Sequence, residues 1–258
     1  DLTVVGGFGA GGAVLVVCTI AGMNIWLAML LAFLAGCIAG LVTGILHTKF
    51  GIPAILAGIL TQLALYSVNL RIMSGRANVA LNIDEYGILV SLRYIPKSIL
   101  VGGAFALVII GLLYWFFGTE LGTAIRATGC NSQMARAQGV NTNSMIVLGL
   151  LISNALVALS GALVCQANGF ADVGMGTGTI VIGLASVIIG EVLFGTRSFK
   201  NCLISVILGS IVYRLVIAIV LQLGMPPNDL KLFTAILVAI ALSMPLIREK
   251  WRARKSAL

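Results

Sequence analysis

Charge is scarce in this chain. Of its 258 residues only 9% are Asp, Glu, Lys or Arg, against roughly 25% in an ordinary soluble domain. Such a chain cannot clothe a water-facing surface. Acidic residues are scarcer inside its apolar runs, where only Glu191 falls, toward one end of its run. The deep carboxylates of an ion-coupled carrier are therefore missing. The single histidine, His47, has no histidine partner for zinc, which argues against a metalloprotease or a His-based catalytic centre. Five cysteines (Cys18, Cys37, Cys130, Cys165, Cys202) are scattered with no C-x-x-C pair, and read as small packing residues, with no disulfide framework or metal site behind them. No G-x-x-x-x-G-K-[ST] loop is present, so the chain does not cradle ATP by itself. Gly7, Gly9 and Gly12 meet the spacing G-x-G-x-x-G, but no strand precedes them and no acidic residue follows at the required distance.

What is abundant is apolar. Hydrophobic residues make up 60% of the chain, and the mean hydropathy is +1.11. The runs are continuous and do not alternate, which selects membrane-spanning helices over a barrel. The expected fold is an all-α polytopic bundle of about eight spans. These are 4–21, 25–46, 52–70, 98–117, 144–167, 177–194, 202–223 and 230–247. The sixth is interrupted by glycines and reads as broken or re-entrant. Residues 1–258 form a single transmembrane domain in this reading, with 119–142 a polar segment within it and 248–258 a basic tail. Small residues four apart, at Gly7/Gly11, Gly36/Gly40 and Gly40/Gly44, let helices approach closely.

Lys and Arg set the orientation. Ten of them (Lys49, Arg126, Arg136, Arg197, Lys200, Arg248, Lys250, Arg252, Arg254, Lys255) fall on one side and five (Arg71, Arg76, Arg93, Lys97, Lys231) on the other. The richer side is expected to be cytoplasmic. It holds the 119–142 segment and the tail, whose attraction is to anionic lipid and not to nucleic acid. The outer loop from Arg71 to Lys97 mixes charges with short apolar groups, and reads as lying along the membrane surface, as a lid or as a partner contact.

Polar residues inside the spans are few. Gln62, Asn69, Asn154, Gln166 and Gln222, with Asn168 at a span end, either bond neighbouring helices or line an aqueous passage. Arg214 and Glu191 each need a partner or water, and a pair between them is conceivable. The glycine-rich stretch from Asn168 to Gly178 is a loop on composition, or a broken helix lining a pathway.

The remaining feature is the polar segment TELGTAIRATGCNSQMARAQGVNT, from Thr119 to Thr142. It opens with Leu121, Ala124 and Ile125 at helical spacing, and is either a docking surface or a solvated loop. Its wording resembles the cytoplasmic signature of permeases in the branched-chain amino acid/ribose superfamily of ATP-binding cassette importers. The pattern A-x-R-A-T-G-x-N-x-x-M-A-R-A-x-G-[VI]-N is met by Ala124, Arg126, Ala127, Thr128, Gly129, Asn131, Met134, Ala135, Arg136, Ala137, Gly139, Val140 and Asn141. The stretches DLTVVGGFGAGGA, SGALVCQANGFADVGMGTGTIVIGLASVIIGEVLFG and GMPPNDLKLFTAILVAIALSMP extend the resemblance over nearly the whole chain.

The resemblance implies a transport subunit of the bacterial plasma membrane, not an enzyme. It is closest to a subgroup associated with tryptophan or tyrosine. The implied solute is small, an amino acid, handed over by an extracytoplasmic binding protein. The implied partners are a second permease copy and two ATPase subunits that hold ATP and Mg. The motif residues, with Glu120 and Gly122, would couple to the ATPase. The short helix would seat in a groove of that subunit, and Gly129 and Gly139 would supply the turns. Family members usually carry a further span ahead of the DLT stretch, so one is expected upstream. The competing reading is a secondary transporter or channel for a small polar solute. Single cysteines at Ser132, Ser256 and Ser74 of a cysteine-free variant test the orientation. We expect a membrane-impermeant thiol reagent to label position 74 in intact cells and not the other two; the reverse pattern inverts the topology.

Overall fold

The computed structural model describes residues 1–82, 88–90, 95–195 and 199–222, with isolated positions at 232, 233, 235, 236, 239 and 243. Nine helices and two short strands lie among the described residues. They are α1 (Thr3–Ile20), α2 (Ile25–Thr48), α3 (Ala54–Ile72), β1 (Asn78–Ala80), α4 (Ile95–Gly118), α5 (Glu120–Cys130), α6 (Ser132–Ala137), α7 (Thr142–Asn168), β2 (Phe170–Asp172), α8 (Thr179–Phe194) and α9 (Phe199–Gln222). Six of them, α1, α2, α3, α4, α7 and α9, are long and apolar enough to cross a membrane. At 16 residues α8 is shorter, about 24 Å at 1.5 Å per residue, against a hydrocarbon core of about 30 Å. The expected last span, 230–247, lies largely outside the described residues.

Local chemistry sets several helix ends. Asn24 caps α2, its side-chain oxygen accepting from the Trp26 amide at 3.1 Å. Pro53, with φ of −50°, precedes α3, as suits a residue without an amide hydrogen to satisfy. Gly169, in the left-handed region at φ 75°, stops α7.

The chain divides into two compact units, residues 1–177 and 178–258. In the first, α1 is the centre. Five of its residues between 6 and 12 are glycines, and they face different neighbours. Gly6 meets Leu65 of α3, Gly11 the Ala158 carbonyl of α7, and Gly12 the Met175 side chain. The contact is reciprocal: Gly161 of α7 lies against the Phe8 carbonyl, and Gly176 against that of Val5. On α2, Gly36, Gly40 and Gly44 face α7 at Asn154, Leu150 and Val147. The small-residue pairs expected from the sequence are thus helix contacts. Lipid supplies no hydrophobic drive for helices to associate, so such backbone-to-backbone packing carries the association.

A chain of buried hydroxyls ties α1, α2 and α3. Thr3 and Thr43 are 2.7 Å apart through their Oγ1 atoms, Thr43 donates to Thr61 at 2.9 Å, and Thr61 donates to the Ala57 carbonyl at 3.0 Å. Each hydroxyl has one hydrogen, so with Thr43 donating to Thr61, Thr3 is the donor to Thr43.

The two strands are the departure from an all-α reading. They pair antiparallel, with Asn78 opposite Asp172, Val79 opposite Ala171 and Ala80 opposite Phe170. The described part of the loop after α3 therefore does more than lie along a surface. Met73 and Leu81 are buried, joining Ala13, Leu15 and Val16 of α1 in the main apolar cluster. The ribbon closes over the C-terminal half of α1.

The second unit is an α8–α9 hairpin packed through Gly190 against Ser205 and Gly209 against Ser186. That register sets Arg214 roughly 15 Å along the axis from Glu191, and no ion pair between them is found among the described residues. Thermal denaturation of the purified permease separates the two kinds of glycine. Gly11→Ala should lower the midpoint, at a cost of about 1–3 kcal/mol for overpacking. Gly102→Ala, where an added Cβ meets nothing within 4 Å, should leave it unchanged or raised; equal midpoints would contradict the packing account.

Candidate functional site

The 119–142 segment folds as two short helices between two spans, and a side chain starts each helix that follows. Thr119 Oγ1 accepts from the Gly122 amide at 3.3 Å, Asn131 Oδ1 from the Met134 amide at 3.1 Å, and Asn141 Oδ1 from the Ser144 amide at 3.3 Å. These oxygens satisfy amides that would otherwise lack an intrahelical acceptor. The two asparagines of the signature are therefore N-caps of α6 and α7, a role their residue type permits.

The exit from α6 is equally defined. Gly139 has φ of 83°, the Gly139 amide donates to Arg136 O at 3.0 Å, and the Val140 amide donates to Ala135 O at 3.1 Å. That pair of bonds is a Schellman motif with glycine at its left-handed position. Gly139 thus supplies a turn, as expected. Gly129 does not: it lies within α5, has no positive φ, and a Cβ there would meet nothing within 4 Å. Gly122, also within α5, is a close-approach position, where a Cβ would overlap the Phe116 carbonyl.

Inward and outward faces separate clearly. Gly122, Thr128, Ala135 and Thr142 are buried, while Ala124, Ala127 and Val140 are half-buried. Thr128 donates to the Ala124 carbonyl at 2.8 Å, and Arg136 Nη2 donates to Thr142 Oγ1 at 3.0 Å, bracing the loop before α7. Ile125 packs toward Gly149 of α7, whose added Cβ would stand 3.7 Å from it. Facing out are Glu120, Arg126, Gly129, Asn131, Met134, Arg136, Ala137, Gly139 and Asn141. Lys49 at the end of α2 and Asn143 and Ser144 at the start of α7 line one crevice of about 340 Å³. The polar segment and the α2–α3 turn hence share one end of the first unit, and the ribbon lies at the other end of α7.

The six residues proposed for a passage are not brought together as one group. Asn69, Asn154 and Gln166 are buried in the first unit. Asn69 Nδ2 donates to the Gly6 carbonyl at 3.2 Å. Asn154 Nδ2 donates to Leu150 O at 3.0 Å and to Asp1 Oδ2 at 2.7 Å, while Gln166 Oε1 accepts from the Leu89 amide at 3.2 Å. The other end of each carboxamide (Asn69 Oδ1, Asn154 Oδ1, Gln166 Nε2) has no partner among the described residues. Gln62 is half-buried beside Gly6, and Asn168 is exposed at the end of α7. Gln222 is exposed on α9, in the second unit.

The 168–178 stretch is a strand and turns, not a continuous helix. Asp172 Oδ1 accepts from the Gly174 amide at 2.7 Å, and Thr177 Oγ1 donates to Gly174 O at 2.7 Å. From β2 the backbone runs along α1, with Val173 beside Gly9 and Gly176 beside Val5. Sequence reasoning missed this ribbon and the Thr3–Thr43–Thr61 chain. Three-residue strands carry too little alternation to be read, and threonines in apolar runs look like any other small residue.

Six membrane-length apolar helices among the described residues define a multi-pass membrane protein. A family described as "Branched-chain amino acid transport system / permease component" matches residues 1–242, and the chain belongs to it. It is a permease of ATP-binding cassette type transport systems, and the family is one of transport subunits, not enzymes. It is 43% identical over 238 residues to the tyrosine transport system permease protein of Clostridioides difficile (strain R20291), covering 92% of this chain and 79% of that protein. An uncharacterized protein of Rickettsia prowazekii (strain Madrid E) is 33% identical over 248 residues, 94% of this chain and 86% of the other. The autoinducer 2 import system permease protein LsrC of Yersinia pseudotuberculosis serotype O:1b (strain IP 31758) is 29% identical over 213 residues, 80% of this chain and 58% of that protein. No solved structure matches the chain.

The caps are testable residue by residue. Asn131→Ala and Asn141→Ala should each cost about 1 kcal/mol locally, or roughly fivefold faster amide exchange, at Met134 and Ser144 respectively. Asn→Asp at either position should keep protection. Unchanged exchange in the alanine variants would remove the capping role.

Proposed function

We propose that this chain is the membrane-spanning permease of an importer for a small solute, an amino acid, with an aromatic side chain the first choice. The observation that carries the reading is the 119–142 segment, two capped helices held rigidly at one end of a chain whose relative, 43% identical, is a tyrosine transport permease. In this reading the segment docks on an ATPase subunit. The chemistry of ATP and Mg belongs to that partner, as suits a chain without a phosphate loop. Two such subunits serve two permease copies, and an extracytoplasmic binding protein delivers the solute at the ribbon end. The excess of Lys and Arg supports a cytoplasmic docking end and tail. The full set of about eight spans would add the short α8 and the 230–247 run to the six long helices, all within a single permease domain.

The passage itself carries few fixed charges. Within the first unit Gln62, Asn69, Asn154, Gln166 and Asn168 would offer a zwitterion weak, uncharged contacts, with the glycine-rich 168–177 backbone as an irregular wall. Affinity then resides in the binding protein. Family membership leaves the secondary-carrier alternative without an observation in its favour.

One reconstitution tests the reading. The permease and ATPase subunits are placed in proteoliposomes with binding protein loaded with tyrosine, tryptophan, leucine or ribose. Stimulated hydrolysis and uptake should follow the aromatic amino acids. Glu120→Lys should lower stimulated hydrolysis about tenfold, the scale of a lost 1.4 kcal/mol contact. Asn154→Leu should slow uptake while leaving its concentration dependence unchanged. Uptake without the ATPase subunits, or stimulation untouched by Glu120→Lys, would overturn the proposal.

A further inference from the structure

A carboxylate stands just ahead of α1, at the depth of the middle of α7. Asp1 Oδ2 accepts from Asn154 Nδ2 at 2.7 Å, and Asp1 Oδ1 accepts from the Thr3 amide at 3.0 Å. Asn154 is buried near the midpoint of α7 (Thr142–Asn168), so the charge of Asp1 lies well inside the span. A charge at such depth takes a partner or water. Two N–H groups reach this carboxylate, and no side-chain cation pairs with it among the described residues.

Asp1 lines a cavity of about 280 Å³ together with Thr43, His47 and the apolar side chains of Leu2, Ile55 and Ile146. Asp1 and Ile55 are exposed, so the cavity is open and not sealed. Its polar side chains all offer acceptors. Thr43 commits its one hydrogen to Thr61, which leaves its oxygen. His47 Nδ1 lies 2.8 Å from the Ile52 carbonyl. A carbonyl only accepts, so Nδ1 carries the hydrogen and Nε2 is the acceptor of the neutral ring. A carboxylate, a hydroxyl oxygen and an imidazole nitrogen thus share one space between apolar walls, and no side-chain hydrogen is left over for an anion. A positive group with several N–H bonds matches that set. The volume falls just under the roughly 300–1,000 Å³ of ordinary small-molecule pockets, which suits a compact amine.

We infer that this cavity is a binding station for the primary ammonium group of a small amine. Asp1 is its counter-charge, His47 and Thr43 are further acceptors, and the apolar walls take the carbon skeleton. Asn154 is a positioning residue that holds the carboxylate in place. The identity of the amine rests on the import reading above: it is the α-ammonium group of the transported amino acid. The solute brings the counter-ion that the described chain does not supply, and takes it away on leaving.

His47 is the only histidine in the sequence, so one ring resonance of the ring-labelled full chain, purified without a histidine tag, reports on the cavity. In phosphatidylcholine nanodiscs, tyramine and tyrosine should shift that resonance saturably. The acid 4-hydroxyphenylpropionate, which lacks the amine, should not. Asp1→Asn, which keeps an oxygen for the Thr3 amide, should raise the tyramine concentration required about tenfold. Ile146→Phe fills the cavity from α7 and should do the same, which keeps the test open if Asp1→Asn does not fold. Equal shifts by tyramine and the acid, no shift by either, or an unaltered response in either folded variant overturns the site. A resonance that changes when phosphatidylethanolamine replaces phosphatidylcholine, and then ignores tyramine, gives the cavity to a lipid headgroup and overturns a solute site. If ATP-driven uptake of aromatic amino acids proceeds while tyrosine and tyramine leave His47 unmoved, the site falls and the import reading stands. If tyramine binds and no amino acid is taken up, the ammonium site stands and the import reading falls.

Discussion

The structure depends on how closely one helix can be touched. α1 is approached by α7, by α3 and by the 173–177 backbone, and a full side chain at Gly11 or Gly12 would push a neighbour away. A glycine costs a helix up to about 1 kcal/mol relative to alanine, so a run with glycines at 6, 7, 9, 11 and 12 is a poor helix by itself. It is stable because in lipid the alternative to tight packing is no association at all. Intrinsic preference loses here to tertiary contact.

The consequence for the site runs through α7. This 27-residue helix meets both α1 and α2 by backbone contact, at Ala158 and at Leu150 and Asn154. Its first turn is capped by Asn141 of the polar segment, and its last residue leads through Gly169 into the ribbon. Within the first unit it runs from the polar-segment end to the ribbon end. A helix gripped at several levels moves as a body and does not bend locally, which suits an element joining the polar segment to a distant face.

Much of this was legible in the sequence, for identifiable reasons. Long apolar runs report spans because the bilayer imposes their length, and α1, α2, α3, α4, α7 and α9 fall where the runs do. The 119–142 segment was legible as polar, but not as two helices. The break at Asn131 is made by one side chain acting as cap, which no periodicity reveals. The resemblance implied turns at Gly129 and Gly139; the backbone at Gly129 is helical, and only Gly139 of the two takes the left-handed conformation. The hydroxyl chain through Thr3, Thr43 and Thr61 was hidden because it joins positions 40 and 18 residues apart. Such pairings depend on which helices become neighbours.

The buried carboxamides show how a membrane interior can be polar and still hold together. Asn69 and Asn154 each commit their amide nitrogens to helix carbonyls, and Gln166 commits its oxygen to Leu89. One atom of each is left without a partner among the described residues. An unpaired buried polar atom costs about 1–3 kcal/mol, far less than an unpaired charge at the same depth. A neutral amide such as Asn69 can therefore fasten α3 to α1 with one atom and keep another uncommitted, where an acid or a lysine would need a permanent counter-ion. In the reading proposed above, a passage built of such groups would contact a zwitterion without trapping it. That is what a permease needs if affinity resides in a separate binding protein and its own task is to let go.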